Sequence, residues 1–428
     1  MGTERVRPVR PTIPAAAAAG SAALVVFAAL ACGGPPPLEA DLILKRGAIE
    51  TGAGAVQALA VREGLVLAAG RNRAIERHRG AKTIVIDLKG RAVVPGFTVP
   101  LADPQIIGER LVNEARGGEQ YLDLADGESE EDIVQRARAR ARVAGPGEWI
   151  LGRNWDETRW VAQHPPDKRL LSDIVAYNPV FLLRKGGGAA WVNKQALDRA
   201  GLGGDGLLAG PSIAAVLRRA PPVPPEERQR AILAALDQAA AIGITAVRAI
   251  ASGPFGVRDP QATEEAVLGA WRALARAGRL PVRVSLLLPA PGAAAEAIVA
   301  RGAATQSASG FDLSLLLDPR AAGDAGGWCG RAKAAALACV LDAGDPAVLQ
   351  AAQAACRSAG LETVEALTPA ASAPADRWGE PSRKAGPRAL TPGERADFLL
   401  LAPAPPGERG PRIESTWVGG REVYRRAG

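Results

Sequence analysis

Residues 93–104 read VVPGFTVPLADP. An apolar run breaks at Pro95-Gly96, resumes as Phe97-Thr98-Val99 and closes on Asp103-Pro104, the pattern of a short strand that leaves a turn and enters a large sheet. The segment contains no histidine, and that absence bears on the chemistry of the whole chain.

Upstream, ADLILKRG, VQALAVREGLVLAAG and KTIVIDLKGRAVVPGF are apolar runs of strand length separated by Gly-containing turns, which predict hairpins. The same texture returns in ADFLLLAP and RIESTWVGGREVY, with Gly419-Gly420 as a hairpin turn. Between these ends, EWILGRNW, PVFLLRKG, GITAVRAI, LPVRVSLLLP, FDLSLLLDP and ALACVLDAGD alternate with Ala- and Arg-rich helical stretches such as 226–242. That alternation predicts a parallel sheet of βα units, and the pattern fits either a barrel or a doubly wound sheet. Pro- and Gly-rich stretches at 203–225, 289–293 and 368–393 read as linkers.

The chain has 428 residues and a formal net charge of +7, with basic residues interleaved with Asp and Glu along its length. Such dispersion gives no stripe for nucleic acid, and no nucleic-acid partner is expected. The one basic run, RARARAR at 136–142, follows Ser129 and Asp132 in a capping-box pattern, with Asp132 four residues before Arg136, and reads as a solvated helix.

Residues 1–14 are basic, residues 15–31 are apolar, and Cys32 follows Ala31 directly, the order of an export signal. The ALAC segment resembles the lipobox of bacterial lipoproteins, with Ala29 where Leu is commonest. That resemblance implies a signal peptide at 1–31, an acylated Cys32, a tether at 32–39, and a lipid-anchored bacterial envelope protein exported across the inner membrane. Cys329, Cys339 and Cys356 then allow at most one disulfide, in any of its pairings, and their spacing matches no zinc motif.

Five segments, in order, resemble the amidohydrolase superfamily, specifically its large metal-dependent hydrolase branch: IDLKGRAVVPGF, GEWILGRNWDETRW, PVFLLRKGGGAAWVNKQALDRAGL, IGITAVRA, and LTPGERADFLLLAP with STWVGGREVY. The resemblance implies an α/β chain with a TIM-like β/α barrel at 97–389 and a small β-sandwich built from 40–96 plus 390–428. Residues 368–389 are loop-like where further βα units of roughly 30 residues each belong, so the barrel is expected to be incomplete.

The family pattern also implies metal-ligand histidines, for zinc or another divalent ion. Their positions here are Leu101 and Asp103 for a His-x-His pair, Gly188, Leu341 and Ala366, with Ser314 in place of a bridging lysine. Asp318, Asp345 and Glu365 are retained. The whole chain has two histidines, His78 in a polar turn and His164 in a loop. A hydrolytic zinc site needs about three protein ligands, imidazole prominent among them, and an open position for water. The expectation is therefore no cofactor, no catalytic residue set and a residual pocket drawn from Asp103, Trp155, Asp156, Trp191, Asn193, Asp318, Asp345 and Glu365. Three functions fit: a degenerate family member kept for binding or scaffolding a small molecule or protein, an atypical hydrolase of non-peptide carbon-nitrogen bonds with a carboxylate-held hard cation, and a recognition module using its tryptophans.

Overall fold

The computed structural model describes residues 37–427 apart from 119, 162–163, 167, 258, 302–310, 344, 362–364, 367–377, 379–389 and 404–409. The chain divides into Met1–Leu38 and a compact unit, Glu39–Gly428, which holds every described strand and helix. Cys32, its leader and almost all of 368–389 lie outside the described residues.

Six parallel strands make the central sheet: Phe97–Ala102, Ile244–Ile250, Arg283–Ala290, Phe311–Leu317, Ala338–Leu341 and Glu365–Ala366, adjacent in that order. Residues two apart on a strand share a face. Val284, Leu286 and Leu288 therefore join Leu313, Leu315 and Leu317 on the outer face. Helices Pro225–Ala241 and Glu264–Arg276 cover that face with Ile232, Leu236, Trp271 and Leu274. The sheet curls as a half-barrel and gives the mixed α/β fold of an incomplete TIM-like barrel. Six strands stand, among the described residues, where a closed barrel has eight.

The βα alternation of the sequence divides between two sheets rather than one. Leu122–Asp123, Ile150–Trp155 and Val180–Arg184 are parallel neighbours in a separate five-stranded sheet, which Ala189–Val192 and Leu207–Ala209 extend in antiparallel pairing. The reversal occurs at Gly186 and Gly187, both left-handed at φ 81° and 77°, a conformation that glycine adopts without steric cost. This inserted sheet leaves the barrel after helix Pro104–Ala115 and returns through helix Pro225–Ala241, which pack on each other.

The chain ends build two more sheets. Ala40–Lys45 lies between Ala58–Arg62 and Arg79–Asp87 in a four-stranded sheet. In a six-stranded sheet the N-terminal Ala92–Pro95 pairs antiparallel with the C-terminal Phe398–Ala402, with Val93 opposite Leu400. The two sheets share one apolar cluster that includes Leu44, Ile49, Leu59, Val93, Phe398 and Trp417.

Further local expectations have definite outcomes. Ser129 Oγ accepts the Asp132 amide at 3.2 Å and caps helix Glu130–Val143, and Asp132 pairs with Arg136 at 3.0 Å. The disulfide is Cys329–Cys356, joining helices Ala325–Ala334 and Pro346–Ser358, while Cys339 is a buried thiol.

Candidate functional site

In β/α barrels the chemistry sits where strands end and loops begin. Asp103 directly follows the first barrel strand and has 0% exposure. Its Oδ1 accepts from the amides of Gln105 (3.1 Å) and Ile106 (3.2 Å), so it caps helix Pro104–Ala115. Its Oδ2 has no hydrogen-bond partner. Burial pushes its carboxyl up to about 6, a rise that nearby Ser252 and Arg153 offset only in part. One and a half turns on, Glu109 accepts from Gln105 Nε2 at 3.0 Å and from the Phe255 amide at 3.3 Å. Burial holds Glu109 at about 7, with Asp103 adding to the rise and Arg153 opposing it.

Arg153 reaches this junction from the inserted sheet. It is 5% exposed, lies 5.9 Å above the Tyr121 ring, and makes one long side-chain bond, Nε to Asn154 Oδ1 at 3.4 Å. Its Nη1 has no partner, nor do Gln105 Oε1, the Tyr121 hydroxyl and Ser252 Oγ. Sequence patterns do not single out Arg153, Glu109 or Ser252. The one signal is an arginine inside the otherwise apolar strand ILGRNW, since a buried charge needs a reason.

The retained carboxylates fall elsewhere. Asp318 follows the fourth barrel strand, caps helix Pro319–Ala322 through Arg320 N (2.9 Å) and Ala321 N (3.3 Å), and lines a cavity of about 170 Å³ with Asp259 and Asp342. Asp345 caps helix Pro346–Ser358 and pairs with Arg320 at 3.4 Å. Glu365 is ion-paired with Arg248. Among the described residues no three His, Cys, Asp or Glu side chains are grouped so as to hold a metal ion.

The candidates from the inserted sheet are placed as supports of the fold. Trp155 is buried, donates Nε1 to the Leu182 carbonyl at 2.8 Å and stacks on Trp160 with ring centroids 6.0 Å apart. Trp191 is buried in the same cluster. Asp156 caps a short turn through Thr158, whose amide and hydroxyl lower its carboxyl below the usual range together with Lys185. Buried Asn193 spends its whole amide on backbone: Oδ1 accepts from Val180 N and Ala196 N, and Nδ2 donates to the carbonyls of Val175 and Asn178. The eight candidates are thus not gathered into one pocket.

The barrel interior at this end carries an apolar cluster beside the Arg248–Glu365 ion pair. Ile250, Leu287, Leu316 and Val340 form one cluster with Leu101 against it. Leu341, aligned by resemblance with a histidine, lies in the outer-face cluster, while the next residue, Asp342, lines the small cavity. His78 precedes strand Arg79–Asp87 of the four-stranded sheet, and His164 is an exposed loop residue 3.8 Å from Glu130. A zinc or similar centre built on imidazole does not fit this donor set.

The profile of the amidohydrolase family matches residues 115–384. The chain is 28% identical over 173 residues to Protein LONG AFTER FAR-RED 3 of Arabidopsis thaliana, covering 39% of this chain and 28% of that protein. It is 26% identical over 253 residues to the protein named "Putative amidohydrolase YtcJ" of Bacillus subtilis, covering 54% and 45% of the two chains. The match therefore spans less than half the length of either relative. Among solved structures, an uncharacterized metal-dependent hydrolase from Pyrococcus horikoshii superposes with a TM-score of 0.54 at 18% identity over 74% of this chain and 68% of that one. A second, from Pyrococcus furiosus, gives 0.52 at 20% identity over 74% and 70%. With the family profile covering well over half of its length, this chain belongs to the amidohydrolase family.

Proposed function

We propose that this chain is a catalytically silent amidohydrolase-family protein that has kept the barrel for binding. The observation that carries the reading is an apolar rim: Leu101, one of the positions where the family pattern implies a metal-ligating imidazole, packs against Ile250, Leu287, Leu316 and Val340. Without those ligands nothing lowers the pKa of a bound water, and the loss of even one partner around a metal typically costs roughly 10- to 100-fold. The shared core of the two end sheets supports their reading as the family's β-sandwich. The order of residues 1–32 supports a lipid anchor on Cys32 at the bacterial envelope.

Assays on amides, esters and N-acyl compounds, after loading with zinc or manganese, test the silence of the centre. Rates at the uncatalysed background support it, and turnover contradicts it. For the anchor, detergent partitioning and N-terminal mass spectrometry are the test, and a Cys32→Ser chain that stays equally membrane-bound would contradict it.

A second reading has one specific observation behind it. Asp259, Asp318 and Asp342 line a single cavity at the strand ends and carboxylates suit a hard cation, although the three are not grouped as metal ligands and Asp259 is paired with Arg218 at 2.5 Å. Turnover abolished by Asp342→Asn or Asp318→Asn would promote this carboxylate-site hydrolase.

A further inference from the structure

We propose that the cavity between the inserted sheet and the barrel rim binds a small organic oxyanion, a carboxylate or phosphate group, on Arg153. This deepens the binding role proposed above and rests on that reading for its place in the protein's function.

The cavity measures about 520 Å³. Among the described residues, the charged ones lining it are Arg153 and Arg184, with no Asp or Glu. Arg184 is committed to Glu157, with contacts of 2.7 and 2.6 Å. Arg153 is not committed: it is nineteen-twentieths buried, its Nη1 has no partner, and its one bond is the 3.4 Å contact to Asn154. Burying a guanidinium without a hydrogen-bonded acceptor is costly, and a carboxylate or phosphate is the acceptor that matches its fork. Asp103 and Glu109 act on it through space without bonding to it.

The backbone around Arg153 carries strain in the same place. The strand pairing skips Asn154, so that Arg153 faces Leu183 and Trp155 faces Arg184, a bulge that re-aims the side chains on either side. Asn154 is left-handed at φ 72°, and Phe255 across the cavity is left-handed at φ 55°. Non-glycine residues held there cluster at ligand sites. Part of the wall, Ile106, Leu183, Ile213 and Val257, is apolar and suits the body of an organic anion, beside glycines whose backbone is polar.

The experiment is titration calorimetry of the detergent-solubilised full chain with benzoate, phenyl phosphate and inorganic phosphate. Benzoate against phenyl phosphate separates a carboxylate ligand from a phosphate one. Saturable binding of either aryl anion is expected, and Arg153→Gln should weaken it by roughly tenfold or more, the size of a lost charge-assisted bond. Because that variant also alters a buried charge, Gly188→Phe serves beside it: Gly188 lines the cavity and nothing lies within 4 Å of a Cβ built on it, so a side chain can start there without a clash. It should weaken binding comparably with an unchanged melting temperature. Absence of saturable binding of both aryl anions, or a folded Arg153→Gln or Gly188→Phe chain that binds as the parent does, overturns the site. Metal content and hydrolysis are separate readouts, so failure here leaves the silent centre standing, and the reverse.

Discussion

Arg283 Nε lies 2.7 Å and its Nη2 3.0 Å from the two carboxylate oxygens of Asp397, a bidentate pair that ties the third barrel strand to the C-terminal sheet. Asp397 is 1% exposed and also accepts the Gly419 amide at 2.7 Å. Removing one partner leaves a buried charge uncompensated, which costs about 3 kcal/mol or more. Arg283→Met should therefore lower stability in urea unfolding by about that amount, and Asp397→Asn by less, since the amide retains an acceptor for Gly419. Equal, sub-kilocalorie effects would show that the pair does not join the two parts.

The carboxyls at the junction, Asp103 buried and Glu109 half-buried, give a pH dependence of definite sign. Asp103 and Glu109 sit at about 6 and about 7, above the ordinary carboxylate range near 4. Between the ordinary and raised values the folded chain holds more protons than the unfolded one, so stability falls as pH rises through roughly 4 to 7. At about 1.4 kcal/mol per pH unit, the two raised values together correspond to at most about 6 kcal/mol of that fall. Denaturant midpoints measured across the window check it. Asp103→Asn, which keeps an N-cap, and Glu109→Gln should each flatten the slope, and a slope unchanged in both would exclude these groups as its source.

Asn193 is used by four backbone groups of three different segments. Asn193→Ala leaves buried donors and acceptors unmet and should destabilise the inserted sheet by about 2–4 kcal/mol. Hydrogen exchange should localise the loss to residues around Val175–Val180. Uniform loosening across the barrel would contradict a local role.

Thiol chemistry separates the cysteines. Burial pushes the Cys339 thiol up to about 11 and shields it, so it should resist alkylation in the folded chain. A Cys32→Ser chain denatured without reductant should expose one thiol, Cys339, and with reductant also Cys329 and Cys356. Labelling of Cys329 or Cys356 before reduction would contradict the bridge.

The barrel strands were legible in the sequence because Phe97–Ala102, Ile244–Ile250, Arg283–Ala290 and Phe311–Leu317 are apolar runs of strand length between turn residues. Which sheet a strand joins was not legible. Ile150–Trp155 reads like the barrel strands, yet it pairs with Leu122–Asp123 and Val180–Arg184 in a separate sheet, which the chain reversal at Gly186-Gly187 then extends in antiparallel pairing. The face of a position aligned by resemblance was not legible: strand alternation turns Leu341 outward and leaves Asp342 at the cavity. Trp155, Trp191 and Asn193 sit in segments that resemble family blocks, yet their polar atoms and rings serve the core. Arg153 acquires its meaning from groups distant in sequence, such as Asp103, which no local pattern carries.

Metal stoichiometry tests the central claim, a family barrel without its hydrolytic centre, most directly. After equilibration with excess zinc or manganese and gel filtration, elemental analysis of the full chain should give substoichiometric metal, unchanged in Asp318→Asn and Asp342→Asn. One tightly held equivalent per chain, lost in either variant, would contradict the claim and place a carboxylate-held ion at the strand ends.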